Sequence, residues 1–188
     1  RSIIEFVTFA SVGSVVEFGR IGVDPDTDRG STDGGFNIDD TGSFSSSTRA
    51  FVCGSGGLSN VIQFVTISTL GNSEDFGDLT EKVRYCAGLS SSTRGVRGGG
   101  KTSTEVDTID FVTMASTGNA TDFGNLSLAR YYVRGTASST RGVFAGGTYP
   151  SPAVTDTIDY VTISSQGGAN DFGDMSLQRN GLAAFGNG

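Results

Sequence analysis

The sequence contains no histidine and no tryptophan. Without His there is no Ser-His-Asp triad, no Cys-His pair and no imidazole-bound metal. Two cysteines, Cys53 and Cys86, cannot make a disulfide framework, and they read best as small buried hydrophobes. The 3 prolines exclude a collagen-like chain. No apolar run approaches the roughly 18 residues that a transmembrane helix needs. No charged start followed by an apolar core reads as a signal peptide. Positive charge is also short: 13 Lys and Arg stand against 20 Asp and Glu, a net charge of −7. A surface of that sign repels phosphate backbones and anionic headgroups, so neither nucleic acid nor a membrane is expected as a partner.

Glycine is abundant, with 29 of 188 residues, and phenylalanine accounts for 13. The length suits one domain, given a prior of roughly 150 residues for each. Internal repeats decide its organisation. Phe6-Val7-Thr8 returns as Phe64-Val65-Thr66, Phe111-Val112-Thr113 and Tyr160-Val161-Thr162. Glu17-Phe18-Gly19 is followed by Asp75-Phe76-Gly77, Asp122-Phe123-Gly124 and Asp171-Phe172-Gly173. A third marker, Ser-Thr-Arg, falls at 47–49, 92–94 and 139–141. The first two markers advance by the same 58, 47 and 49 residues. The whole of 1–188 is therefore one repeat domain. Its units are approximately 1–59 (with an insertion at 20–36), 60–105, 106–154 and an incomplete 155–188.

Each unit reads as four short strands. Val106 to Met114 is rich in β-branched and aromatic residues. Ile109 and Phe111 point to one face, and Val112 and Met114 to the other, so this strand should be covered on both sides. Gly118-Asn119 then turns the chain. A strand follows around Asp122-Phe123. Another should start near Tyr131-Tyr132-Val133, and a fourth runs through Gly142-Val143-Phe144-Ala145 to Gly146-Gly147. No stretch has a capped helical period. The fold class expected is all-β: a β-propeller segment of four-stranded blades, about 47 residues per repeat. Stacked blades bury the two faces that a lone blade exposes, and glycines let them approach closely. The chain opens in a third strand, Ser2 to Phe9, and closes after a first strand near Arg179 to Phe185. An incomplete ring is expected, completed by further repeats or by another chain.

The glycine pairs and the residues after them resemble a kelch-type repeat. Gly146-Gly147, Tyr160, Phe172 and Arg179 carry the likeness, as do Gly98-Gly99, Phe111, Phe123, Leu126 and Arg130. Phe stands where that family has Trp, and Gly54-Ser55 replaces the glycine pair in the first unit. The wording Ser-Ser-Thr-Arg-Gly-Val-Phe, with Ile-Asp-Tyr-Val-Thr-Ile and Asn-Ala-Thr-Asp-Phe-Gly-Asn-Leu, is similar to kelch-like repeats in virion structural and tail-fibre-like proteins of marine tailed phages, including cyanophages. That resemblance implies a non-enzymatic virion structural protein: a tail fibre, appendage or capsid decoration used in host attachment or virion assembly. It implies a virion or extracellular location. The partners implied are other virion proteins, copies of itself, or a host surface glycan or protein. The alternative is a cellular kelch-type scaffold for protein–protein interaction.

No catalytic residue and no cofactor-binding residue is expected. Asp-Phe-Gly would suggest a kinase metal site if it stood alone, but it repeats without a catalytic loop. Repeated Asp110 and Asp159, like Asp75, Asp122 and Asp171, read as turn and strand-end hydrogen bonders rather than glycosidase acids. Arg49, Arg94 and Arg141 should pair with carboxylates or backbone carbonyls; a ring for anions is the rival reading. Asp24, Asp26 and Asp28 alternate as Ca²⁺ ligands do. Arg29 and Gly35 break that pattern, which favours a solvated acidic loop. Loops after second and fourth strands share one edge and vary most between units. Tyr149, in such a loop, is the candidate partner-binding residue.

Overall fold

The protein is described here from a computed structural model, which covers residues 3–6, 16–20, 41–55 and 57–184. Strands β1 (Ile3–Phe6) and β2 (Val16–Arg20) form a two-stranded antiparallel sheet. Three four-stranded sheets follow in chain order. The first holds β3 (Gly42–Ser45), β4 (Arg49–Cys53), β5 (Ser59–Thr66) and β6 (Glu74–Val83). The second holds β7 (Ala87–Ser90), β8 (Arg94–Lys101), β9 (Glu105–Thr113) and β10 (Thr121–Asn125). The third holds β11 (Arg134–Ala137), β12 (Arg141–Ala145), β13 (Thr157–Thr162) and β14 (Asn170–Asp174). Every pairing is antiparallel between sequence neighbours, so each sheet is a simple meander. No helix occurs among the described residues. The all-β class and the four strands per repeat stand as the sequence predicts. Each sheet takes its first two strands from one sequence unit and its last two from the next.

Two strand positions differ from expectation. The first strand of the third sheet begins at Arg134 rather than near Tyr131, because Tyr132 has a left-handed φ of 56° that no strand accommodates. The strand expected near Arg179 to Phe185 does not form over the described part of that stretch. Among the described residues it has no second strand to pair with, so its backbone groups gain nothing by extending.

The core lies between the sheets. Phe44, Phe51, Ile62, Phe64, Phe76 and Met114 belong to the cluster between the first and second sheets. Leu89, Ile109, Phe123, Leu126, Phe144 and Ile163 belong to that between the second and third. Val112 and Met114 contribute to one cluster and Ile109 to the other, which is the two-sided burial that the β9 sequence implies. The first strands β3, β7 and β11 are neighbours in turn, and no closed ring forms among the described sheets. Glycine sets their spacing. A Cβ on Gly88 of β7 would collide with the Ser43 backbone oxygen of β3, and one on Gly135 of β11 would lie 2.8 Å from the Gly88 oxygen.

The three repeated markers meet in one structure. Phe76, Phe123 and Phe172 are the residues left unpaired where the register between third and fourth strands shifts, so each is a β-bulge. The glycine after each takes a positive φ of 143°, 144° and 129°. The preceding Asp75, Asp122 and Asp171 accept a hydrogen bond from that glycine's N–H at 3.2, 3.1 and 2.9 Å. Each bulged Phe meets the aromatic of the Phe-Val-Thr marker edge to face, at 5.9, 5.9 and 6.0 Å between centroids. The arginine of Ser-Thr-Arg lies over that aromatic ring at 4.6, 4.6 and 4.5 Å. Arginine, ring and ring are in contact in sequence, so the three markers recur together.

Candidate functional site

The hairpin turns on one edge are nearly identical. Ser46, Ser91 and Ser138 accept from the arginine N–H three residues on, at 3.0, 3.2 and 3.1 Å. This is the serine-turn role of the Ser-x-Thr-Arg wording. The arginines do not form an anion ring. Arg49 Nη1 donates to the Met114 carbonyl at 3.0 Å and Arg94 Nη1 to the Ile163 carbonyl at 2.8 Å, each reaching into the following sheet. Of the two partners expected, carboxylates or backbone carbonyls, Arg49 and Arg94 take carbonyls, which locks neighbouring sheets together.

Between β3, β7 and β11 on this edge lies a cavity of about 690 Å³. Ser43, Ser45, Ser90 and Thr136 line it beside Phe51 and Leu89. No side chain of its described lining titrates in the range of acid–base catalysis. It offers hydroxyls and apolar surface, which suits hydrogen bonding to a neutral polar group and supplies no general acid or base.

The opposite edge carries the varied loops. Tyr149 sits there between β12 and β13, half-exposed at 39%. Its loop is pinned by Tyr149 N–H to the Ala153 carbonyl at 2.9 Å and Ala153 N–H to the Pro150 carbonyl at 2.7 Å. Three more tyrosines lie on this edge, which the sequence reading did not single out. Tyr85 and Tyr132 occupy the same repeat position, share left-handed φ values of 59° and 56°, and bring their rings to 4.4 Å. Tyr131 packs on both, at 5.8 and 4.9 Å. Lys101 Nζ stands 4.4 Å over the Tyr131 ring and pairs with Glu105 at 3.7 Å, while Arg84 lies 5.0 Å over Tyr85. The Tyr131 hydroxyl reaches Ser151 Oγ at 3.2 Å, which joins the cluster to the Tyr149 loop. Repetition of Tyr two residues before the first strand was the available signal, and reading Tyr131-Tyr132 as strand hid it.

Two buried ion pairs also went unread. Asp110 and Asp159 are mid-strand and fully buried, not turn or strand-end residues. Asp159 accepts from Arg130 Nη1 at 3.0 Å, Ser127 Oγ at 2.6 Å and Ser127 N–H at 3.1 Å, all from the preceding repeat. Asp110 accepts from Thr80 Oγ1 of the preceding repeat at 2.6 Å, but its cation is Arg97 of its own sheet. Burial pulls the Arg130 guanidinium below its ordinary pKa despite Asp159. Burial acts on Arg97 the same way, yet Asp110, Cys86 and Glu81 together raise it. Cys53 and Cys86 are free and buried between the first two sheets, as small hydrophobes should be. A hydrogen bond with Cys86, then burial, pushes the Cys53 thiol well up, so it stays protonated and inert.

The candidate Ca²⁺ ligands Asp24, Asp26 and Asp28, with the 20–36 insertion around them, lie outside the described residues but for Arg20. Among the described residues no three His, Cys, Asp or Glu side chains come together as metal ligands. No family model matches the chain, and no curated protein matches it either. Fold and edges define an all-β repeat protein of four-stranded meanders, stacked face to face.

Proposed function

We propose that this chain is a non-enzymatic structural protein of a phage virion, carried on a tail fibre, appendage or capsid, and built as part of a kelch-like β-propeller. Three consecutive meanders with their first strands adjacent support the propeller reading. The wording of the repeats supports the phage reading. One observation carries the interaction role: four of the five tyrosines gather on the edge made by the loops that differ between repeats. Tyrosine offers large, rigid contact area with a polar tip, and it dominates recognition surfaces for that reason. The opposite edge is uniform and serves the fold. A host surface glycan or a neighbouring virion protein is the partner such an edge fits.

Gold-labelled antibody against the chain should decorate assembled virions at one appendage or on the capsid. Particles carrying Tyr149→Ala should attach or assemble at least fivefold less well, since an exposed aromatic anchor typically contributes more than about 1 kcal/mol. Ser92→Ala, on the uniform edge, is the control. Asn119 is unsuited to that use because its Oδ1 holds the Asp78 N–H at 3.1 Å. Loss of attachment with Ser92→Ala alone would move the partner to the other edge.

A further inference from the structure

The two cysteines meet across the joint between the first and second sheets. Cys53 is the last residue of β4, and Cys86 immediately precedes β7. Both are 1% exposed. Cys53 Sγ lies 3.6 Å from the Gly42 carbonyl oxygen, and Cys86 Sγ lies 3.8 Å from the Cys53 carbonyl oxygen. A Cβ on Gly42 would stand 3.1 Å from each sulfur, so one point touches both. A side-chain hydrogen bond joins the two thiols directly. Gly54 closes the other side, where a Cβ would come within 3.2 Å of Cys86 Sγ. Glycines thus leave room for two sulfurs in contact.

The next joint shows what these positions hold without sulfur. Counted from the arginine of Ser-Thr-Arg, Cys53 aligns with Gly98 and Ala145. Cys86 follows the left-handed Tyr85 as Val133 follows the left-handed Tyr132. A Cβ on Gly99 would lie 3.0 Å from Val133 Cγ1, much as one on Gly54 would lie against Cys86 Sγ. The joint between the second and third sheets therefore packs well with no thiol at either position. In the joint before it both positions are cysteine, and they are neighbours in space. Packing alone gives no reason for the two to change together; a bond between them does.

We propose that Cys53 and Cys86 are a disulfide site, closed when the chain folds in oxidising surroundings, which ties the first sheet to the second. The oxidant is a small disulfide such as oxidised glutathione. One cysteine thiolate attacks a sulfur of the oxidant and expels a small thiolate. The other cysteine loses its proton, attacks the cysteine sulfur of that mixed disulfide, and expels the second small thiolate. Two protein thiols become one disulfide, one small disulfide becomes two small thiols, and the protein's two protons pass to them. The exchange belongs to folding, because neither sulfur is reachable once the sheets have met. A chain folded in reducing surroundings keeps both thiols, inert in the closed site. The virion reading is not needed for this.

Equilibration with glutathione tests it on the full chain. Unfolded protein is transferred into mixtures of reduced and oxidised glutathione, in buffer and in concentrated urea. Acid quenching, alkylation and mass spectrometry then read the bonded fraction. The constant for forming the bond should be at least about a hundredfold larger in buffer than in urea, since a cross-link that fits the fold is favoured by folding as much as it favours folding. The bonded chain should accordingly unfold at higher urea than the reduced chain. Cys53→Ala and Cys86→Val, which take the residues of the aligned positions, should unfold alike with and without the oxidant. A constant no larger in buffer than in urea overturns the proposal and leaves the pair as packed hydrophobes. So does a bonded chain that unfolds at lower urea than the reduced one, or an equal gain in the variants.

Discussion

Asp110 and Asp159 sit at the same point of successive repeats and solve the same electrostatic problem with different cations. A carboxylate in a sheet interior needs a partner charge and hydrogen bonds to every lone pair it can fill. Arg130 supplies the charge from the loop before the third sheet, where the corresponding residue before the second is Val83. Arg97 takes over from within the second sheet, at the position that Phe144 fills in the third. Charge and bulk exchange places between neighbouring positions, and neither position alone looks repeated. Asp159→Ala should strand Arg130, which is wholly buried, and cost about 3–5 kcal/mol in urea unfolding. The double variant Arg130→Met/Asp159→Leu should recover most of that loss, since it removes both charges and keeps the volume. A single variant costing under about 1 kcal/mol would mean that water reaches the pair.

The first strands work at the scale of elements, where backbone spacing is the controlling quantity. β3, β7 and β11 come so close that Gly88 faces the backbone of Ser43 with no room for a methyl group. The obstacle is main chain, so relief requires moving a whole strand and loosening the core around Phe44 and Leu89. Gly88→Ala should lower stability by about 1–3 kcal/mol, a drop of several degrees in the thermal midpoint. Gly71, in a turn with open space around it, gives the contrast. Gly71→Ala should leave the midpoint unchanged or raise it slightly, by restricting the unfolded chain. Equal effects at the two sites would contradict the close approach of β3 and β7.

For the molecule as a whole, identical residues have unequal energies because the repeats have unequal neighbours. Phe123 and Phe172 share a marker, a bulge and an edge-to-face aromatic partner. Phe123 is enclosed by the third sheet and Phe172 by nothing described. Phe123→Ala should cost about 3–5 kcal/mol. Phe172→Ala should change stability by less than about 0.5 kcal/mol, as surface substitutions do. Chemical unfolding at submicromolar concentration compares them directly, and similar losses would show the third sheet to be covered within the single chain. Leu177, exposed at 63%, lies on the same uncovered end.

Repetition made the local architecture legible from the sequence. Three markers recurring in order fixed four strands per repeat, the hairpin turns and the aromatic positions, because each depends on neighbours within about 47 residues. Turn serines and strand-opening arginines could be read for the same reason. Tertiary structure decided what depends on the next repeat. Whether an aspartate ends a strand or lies buried under an arginine is set by the sheet stacked against it. Tyr131 and Tyr132 read as the start of a strand, since their β-propensity is high. The left-handed backbone at Tyr85 and Tyr132, which carries the chain from one sheet into the next, instead gathers those two rings beside Tyr131. Exposure of Phe172 could not be read from its marker, which matches the buried ones; among the described residues no sheet stands against it.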